Sequence, residues 1–154
     1  MKRGGIKVLK SDWIKTDKGF FIGDPCYVFD KLWLGIVDSY YSLKNLGKKN
    51  HTIGVNEGTI GMVSTMYGDG GYVGTDGEEY SVDSGSLGIV PLEVAELDVY
   101  GNAYLGKVID FKGEARVLYD DGLVTIEFKG SKQEDINIDT GSDEDEYYFE
   151  EGWL

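Results

Sequence analysis

Three aspartates stand at breaks in strand-like stretches of the sequence, where a carboxylate is placed to do chemistry. Asp24 precedes a proline, Asp69 lies between two glycines, and Asp83 opens an Asp-Ser-Gly corner. Strand breaks lie at the rim of a sheet, so the pairing of neighbouring strands would bring the three carboxylates to one end. Because clustered carboxylates repel one another, the cluster needs a cation, a proton or backbone N–H groups as compensation. The sequence predicts a shared rim site, with simple turn chemistry, in which aspartate bonds its own backbone, as the alternative.

Neighbouring side chains extend this predicted site toward ligand binding. Tyr27 and Tyr72 each lie three residues beyond one of the aspartates, and tyrosine rings stack on nucleobases. A nucleotide-like ligand would also need lysine or arginine for its phosphates, and the basic N-terminal third of the chain is the expected source. The predicted ligand-binding residues are Asp24, Cys26, Tyr27, Asp69, Tyr72, Asp83 and Ser84.

Catalytic and metal chemistry has less support than binding. Cys26, the one cysteine, is a nucleophile only with a base beside it, and the one histidine, His51, belongs to the polar stretch 48–58 and is expected at the surface. We interpret Cys26 as a small core residue. The aspartates would suit magnesium in a hydrolase, but their spacing does not require it, and 135–146 departs from a calcium loop at Thr140. No catalytic residue, metal or cofactor is predicted.

The charge of the chain is distributed unevenly. The 154 residues carry a formal net charge of −13, yet residues 1–50 hold ten basic and only five acidic side chains. The acidic remainder argues against nucleic-acid binding, which needs clustered lysine and arginine, and suits solubility, a basic protein partner or imitation of nucleic acid. The single cysteine, the lack of a signal-peptide pattern and the lack of a long apolar stretch predict a cytoplasmic protein that binds no membrane.

Glycine and aromatic residues indicate short strands joined by tight turns. The chain has 23 glycines, two prolines and 13% aromatic residues, and two Asp-Gly pairs are placed to close hairpins. The predicted hairpins are 59–67 with 79–91, and 114–128 folded on itself. The alternating stretch 135–139 is a further predicted strand, with Ile136 and Ile138 on one face. The predicted fold class is mainly β (α+β): a twisted antiparallel sheet, or a partly open barrel of hairpins, covered by one helix at about 31–46.

The predicted helix has an amphipathic pattern and recognisable ends. Asp30 is expected to cap its first turn and Gly47 to end it. The stretch 91–100 fits either a short helix that begins at Pro91 or a strand, and both remain open. The expected buried face of the long helix is Trp33, Ile36, Val37, Tyr40 and Leu43, with Asp38, Ser42 and Lys44 exposed.

The end of the chain differs in composition from the rest. We predict a single β-rich domain over 1–139 and an acidic, aromatic tail over 140–154. Tyrosine and tryptophan are common anchors at interfaces, so the tail is the predicted partner-binding segment. Its partner-binding residues would be Tyr147, Tyr148, Phe149 and Trp153.

Three short motifs carry a resemblance to other proteins. They are GDPCY at 23–27, YGDGGY at 67–72 and VDSGSLGIVP at 82–91. In this order they resemble a loosely defined set of small β-rich proteins, found mostly in phages, prophages and bacteria and mostly without an assigned function. The resemblance covers about 20–91. It implies a phage-type accessory protein and supplies no catalytic residues.

Three functions follow from these observations, in order of preference. The first is an accessory protein that binds a host component, such as a defence protein, and inhibits or sequesters it. The second is a protein that binds a small nucleotide-like signal in a rim pocket. The third is a metal-dependent hydrolase that uses Asp24, Asp69 and Asp83. The expected partner is therefore a host protein or a small nucleotide-like ligand.

Overall fold

The chain folds into two antiparallel sheets, a two-stranded ribbon and one α-helix, in a computed structural model that describes residues 8–130 and 132–141. The helix α1 spans Trp33–Asn45, and two 3₁₀ segments span Pro25–Val28 and Val99–Leu105. The strands are β1 (Leu9–Lys10), β2 (Ile14–Thr16), β3 (Phe20–Gly23), β4 (Thr52–Val55), β5 (Gly58–Ser64), β6 (Gly70–Val73), β7 (Glu79–Val82), β8 (Ser86–Pro91), β9 (Lys107–Ile109), β10 (Gly113–Asp120), β11 (Leu123–Phe128) and β12 (Ile136–Asp139).

Strand pairing confirms the predicted fold class. The first sheet has the order β1-β10-β11-β12, with β2 also paired to β10, and the second has the order β4-β5-β8-β3-β9. Strands β6 and β7 form the separate ribbon, and every pairing between these strands is antiparallel. The protein is therefore mainly β with one α-helix, and in the described part of the chain the sheets form no closed barrel.

Two hydrophobic cores lie on either side of the second sheet. The first core joins residues of both sheets, such as Ile89 from β8 and Val117 from β10. The second core joins the other face of the second sheet, including Phe21, to Ile36 of the helix. Strands β3 and β8 are buried along their whole length because both of their faces are covered. This double coverage explains why their sequences are nearly continuous apolar runs.

The helix α1 confirms the predicted buried face. Ile36 and Tyr40 are fully buried, and the polar residues predicted to be exposed are exposed. Leu34, on the opposite face, is 75% exposed. Gly47 follows the helix with a φ of +70°, a conformation that glycine adopts without strain, and so ends it as predicted. The remaining residues of the predicted face, Trp33, Val37 and Leu43, are half-buried.

The start of the helix differs from the prediction. Asp30 does not cap it; Leu32 is the N-cap residue and makes no side-chain hydrogen bond. Instead the Glu96 carboxylate accepts the backbone N–H groups of Asp30 at 2.7 Å and of Lys31 and Leu32 at 3.0 Å. These hydrogen bonds, that of Asp30 first, hold the pKa of the Glu96 carboxyl below its usual range. A distant carboxylate thus takes the place of a local cap, at the end of the helix where negative charge is favourable.

The predicted hairpin of 59–67 with 79–91 is interrupted. Strand β5 does pair with β8, but the residues between them form the ribbon β6–β7, which is closed at Asp76 and Gly77 as predicted. The single strand predicted over 79–91 is broken at 83–85, where Gly85 has a φ of +79°. Hairpin β10–β11 and strand β12 form where the sequence predicts them.

Two local predictions are wrong. His51 is 1% exposed, not a surface residue, and strand β4 begins directly after it. The Nε2 atom of His51 donates to the carbonyl oxygen of Lys48 at 3.0 Å, and the His51 ring meets the Tyr40 ring edge-on, with 5.3 Å between the ring centroids. These two contacts stabilise the imidazole in its buried position. The stretch 91–100 forms neither the expected helix nor the expected strand. Pro91 ends β8, turns and bends follow it, and Val99 begins the second 3₁₀ segment.

The tail residues Tyr147, Tyr148, Phe149 and Trp153 lie outside the described residues.

Candidate functional site

The Asp24 carboxylate is the centre of the site predicted from the sequence. Asp24 is completely buried. The Oδ1 atom of its carboxylate accepts hydrogen bonds from the Cys26 backbone N–H at 2.9 Å and from the Ser84 hydroxyl at 2.7 Å. Its Oδ2 accepts the backbone N–H groups of Asp83 at 2.8 Å and Ser84 at 2.6 Å. Four donors from two distant segments therefore satisfy this carboxylate, which joins the first 3₁₀ segment to the corner after β7.

Tyr27 and Cys26 surround this carboxylate and remain protonated. Tyr27 donates its hydroxyl to Asp83 Oδ2 at 2.9 Å, and burial together with that carboxylate raises the Tyr27 pKa above its usual value. Burial, and next the negative charge of Asp24, likewise raise the pKa of the Cys26 thiol. A raised pKa suppresses the thiolate, so Cys26 is not an activated nucleophile.

The other two predicted residues stand apart from this cluster. Asp69 is exposed, and its Oδ1 lies 3.9 Å from the position that a Cβ on Gly85 would occupy, which places it at the edge of the corner. Tyr72 is 7% exposed and donates its hydroxyl to the Gly68 carbonyl oxygen at 2.9 Å, so its ring belongs to the core. Five of the seven predicted residues therefore meet in one place: Asp24, Cys26, Tyr27, Asp83 and Ser84.

A groove along α1 begins beside this cluster. Its first part is a cleft of about 230 Å³ between the helix and the ends of β5 and β8. Two serine hydroxyls of this cleft, those of Ser84 and Ser86, bond each other at 2.7 Å. The residues that line the cleft are Trp33, Val37, Tyr40, Tyr41, Met62, Ser64, Ser84 and Ser86. Ser84 thus connects the predicted site to a space large enough for part of a small molecule.

The second part of the groove is a larger cleft of about 430 Å³. The two clefts share Tyr40 and Ser64, whose hydroxyls bond each other at 2.8 Å, so we name them together the α1 groove. The residues lining the second cleft are Leu9, Tyr40, Lys44, Gly47, Lys48, Lys49, His51, Ser64, Thr65 and Tyr119. Among residues 8–130 and 132–141, three lysines and no carboxylate line the α1 groove, although the chain as a whole carries a net charge of −13.

The titratable groups of the α1 groove have defined protonation states. Burial raises the pKa of the Tyr40 hydroxyl to about 12, so this hydroxyl stays neutral at pH 7. Burial lowers the pKa of the His51 imidazole, which is therefore neutral as well. Because Nε2 carries the proton that is donated to Lys48, Nδ1 is an acceptor, and it has no hydrogen-bond partner among the residues that the structure describes.

The burial of His51 predicts a pH dependence of stability. Below about pH 6.5 the unfolded chain binds a proton on His51 that the folded chain refuses, so the free energy of unfolding falls as the pH falls. The slope of the free energy of unfolding against pH should be positive between the folded and unfolded pKa values of His51, with an upper limit of about 1.4 kcal/mol per pH unit for this one proton. Urea unfolding between pH 7 and pH 5 measures it. His51→Gln, whose amide can still donate to Lys48, should flatten the curve, and an unchanged slope in that variant would contradict the assignment.

The sequence did not identify the groove residues Tyr40, Lys44, Ser64 and Tyr119 as a site. One signal was available, since Lys44, Lys48 and Lys49 belong to the basic first third that was expected to supply phosphate ligands. Their position opposite Tyr119 depends on the packing of two sheets, which local pattern does not indicate.

Three comparisons, with protein-family models, with curated proteins and with solved structures, find no match for the chain. Within residues 8–130 and 132–141, no helix is long and apolar enough to cross a membrane. The same residues contain no group of three histidine, cysteine or acidic side chains that could hold a metal ion.

Proposed function

We propose that the α1 groove binds a small anion that carries a planar ring, of the nucleotide class. The observation that carries the proposal is the charge of the groove walls, whose described residues include lysines and no carboxylate in a strongly acidic protein. Local positive charge of this kind attracts an anion that the rest of the surface repels. Ligand sites combine apolar and aromatic walls with a few placed polar groups, and the groove has this composition.

The larger cleft supplies the anion-binding end. Lys44 Nζ donates to Ser64 Oγ at 3.1 Å and lies 5.4 Å from the ring centroids of both Tyr40 and Tyr41. These contacts hold the ammonium at the groove while leaving further N–H donors for a phosphate oxygen. Lys48 lines the same cleft, and neither Lys44 nor Lys48 forms a salt bridge with a described residue. A phosphate here would thus meet the Lys44 and Lys48 ammonium groups, which no carboxylate of the described residues neutralises.

The smaller cleft supplies the ring-binding end. Trp33 is half-buried and Tyr41 is 52% exposed, so both present aromatic surface to the space between helix and sheet. Stacking of a base on an aromatic side chain contributes about 1–3 kcal/mol. The hydroxyls of Ser84 and Ser86 line the same cleft and can bond polar edges of a base or sugar. The shared Tyr40–Ser64 pair places the two ends next to each other.

Binding rather than turnover fits the protonation states. The Tyr40 hydroxyl and the Cys26 thiol both have raised pKa values, so neither is activated at neutral pH. A phage-type accessory protein with such a groove would act on its host by sequestering a small signal. Inhibition of a host protein through the tail 140–154 stays a separate prediction.

Titration calorimetry with adenosine monophosphate, and with adenosine as the uncharged partner, tests the proposal. The monophosphate should bind more tightly because only it reaches the lysines with an anionic group. Reversal of charge in Lys44→Glu or Lys48→Glu should weaken binding by about tenfold or more, about 1.4 kcal/mol each. Heating the purified protein should release an anionic, ring-containing molecule, which mass spectrometry identifies.

Lys112→Glu is the matched control, because Lys112 is exposed and lines neither cleft. Lys112→Glu changes the net charge of the protein as much as Lys44→Glu does, and it should leave the affinity for adenosine monophosphate unaltered. Equal weakening by Lys112→Glu would mean that only overall charge matters. Equal affinity for adenosine and its monophosphate, or no binding of any nucleoside monophosphate together with no released anion, would refute the proposal.

A further inference from the structure

Exposed aromatic side chains gather around the second 3₁₀ segment, Val99–Leu105. Tyr100 is 68% exposed, Tyr104 is 79% exposed, and Leu97 just before the segment is 41% exposed. Tyr27 is half-buried, its backbone carbonyl oxygen accepts the Asn102 side-chain amide of the same segment, and its hydroxyl bonds to Asp83. We name Tyr27, Leu97, Tyr100 and Tyr104 together the tyrosine surface. None of these four residues lines the α1 groove.

The backbone beneath the tyrosine surface is fixed to the body of the protein. Val99 is 5% exposed and belongs to the second core. The Asn102 side-chain amide donates to the Tyr27 carbonyl oxygen at 2.6 Å, and the Leu97 backbone N–H donates to the Val28 carbonyl oxygen at 3.0 Å. Tyrosines on a rigid backbone lose little conformational entropy on binding, which is why they serve as interface anchors.

The charge around the tyrosine surface is negative. Residues 92–105 contain no lysine, arginine or histidine. Of their three acidic residues, Glu93 bonds to Thr16 and Glu96 to the start of α1, whereas Asp98 bonds to the backbone of Tyr100 within the tyrosine surface. Asp98 is exposed in this stretch, and Asp83 accepts the Tyr27 hydroxyl. Of the nearby cations, Lys107 is paired with Asp76 at 2.9 Å, and Lys31 lies beside Glu96. A cationic partner is therefore complementary to this surface.

We propose that the tyrosine surface docks an arginine-rich segment of a partner protein. Arginine is favoured over lysine because its planar guanidinium stacks on tyrosine rings and at the same time donates to carboxylates such as those of Asp83 and Asp98. The tyrosines supply the contact area, and the acidic groups supply specificity and a faster encounter. The tyrosine surface shares no lining residue with the α1 groove, and its proposed occupant is a protein segment and not a small anion.

Binding of an arginine–glycine repeat peptide to the full chain, followed by amide chemical shifts and fluorescence anisotropy, tests the proposal. The largest changes in amide chemical shift should occur in 97–105 and near Tyr27. The affinity for the peptide should fall as the salt concentration rises. Tyr100→Ala combined with Tyr104→Ala should weaken binding by about tenfold or more. Asp98→Asn should weaken peptide binding less, because an asparagine side chain can still accept the Tyr100 backbone N–H, which Asp98 Oδ1 accepts at 3.0 Å, and only the charge is lost.

Leu34→Ala is the matched control, since Leu34 is exposed on α1 and outside both the groove and the tyrosine surface. It should leave peptide binding unchanged. Equal binding of a glutamate–glycine peptide, or full binding by the double tyrosine variant, overturns the proposal. Sedimentation that shows a wild-type dimer lost in that variant would assign the surface to a second copy of the chain and would overturn it as well.

Discussion

Replacement of Asp24 by alanine is expected to lower the free energy of unfolding by about 4 kcal/mol. A hydrogen bond to a charged group contributes about 1.5–3 kcal/mol, and a buried donor left without a partner costs about 1–3 kcal/mol. The Asp24 carboxylate accepts four such bonds, from Cys26, Asp83 and twice from Ser84, and it is completely buried. Since small domains are stable by only about 5–15 kcal/mol, the variant should be marginally folded. Urea unfolding monitored by circular dichroism measures the loss.

Two further variants separate this network from a general effect of charge removal. Asp24→Asn keeps the volume but turns an amide donor toward the N–H groups, so it should recover only part of the stability. Asp38→Ala removes an exposed carboxylate from α1 and should change stability by no more than about 0.5 kcal/mol. A loss below about 1 kcal/mol in Asp24→Ala would show that the four hydrogen bonds do not hold this corner together.

The Asp24 network combines features of both interpretations of the aspartates. Turn chemistry predicts a local bond between an aspartate and its own backbone, and the Cys26 bond is of that kind. The bonds to Asp83 and Ser84 cross 59 and 60 positions of sequence, so they bring two predicted residues into one cluster. Backbone N–H groups provide the compensation that the rim-site hypothesis required.

Local signals predicted the elements that local chemistry controls. The hairpin β10–β11 turns at Asp121 and Gly122, where both residues have positive φ, and the alternation in β12 buries Ile136 and Ile138. The buried face of α1 follows from spacing alone. In each of these elements the residues that decide the structure are neighbours in the sequence.

Contacts distant in sequence produced the features that were missed. Glu96 caps α1 from a position 64 residues beyond Leu32. His51 lies in a polar stretch of the sequence, but its ring packs on Tyr40 of α1 and is buried there. The α1 groove likewise needs Lys44 from the helix, Ser64 from β5 and Tyr119 from the other sheet. Composition indicates that the lysines of a ligand site come from the first third of the chain. Only the packing of the helix against the sheets places them around the α1 groove.

Gly88→Ala is expected to cost about 3 kcal/mol, because strands β5 and β8 approach too closely for a side chain at this position. A Cβ on Gly88 would overlap the Gly61 carbonyl oxygen and lie 2.9 Å from Met62 Cα. Both contacts are with backbone atoms of the central strand pair, so relief requires the strands to separate rather than a side chain to rotate. Overpacking of this kind costs about 1–3 kcal/mol, and the upper end is expected where backbone must move.

Gly54→Ala in the same sheet is the matched control for this substitution. Gly54 is exposed in β4, and no atom lies within 4 Å of the position its Cβ would take. There, alanine should leave stability unchanged or raise it by about 0.4–1 kcal/mol, since it restricts the unfolded chain without a clash. Urea unfolding of both variants gives the comparison. Similar effects at the two positions would mean that the β5–β8 pair accommodates a methyl group, and that the close approach of these strands does not constrain the sequence at Gly88.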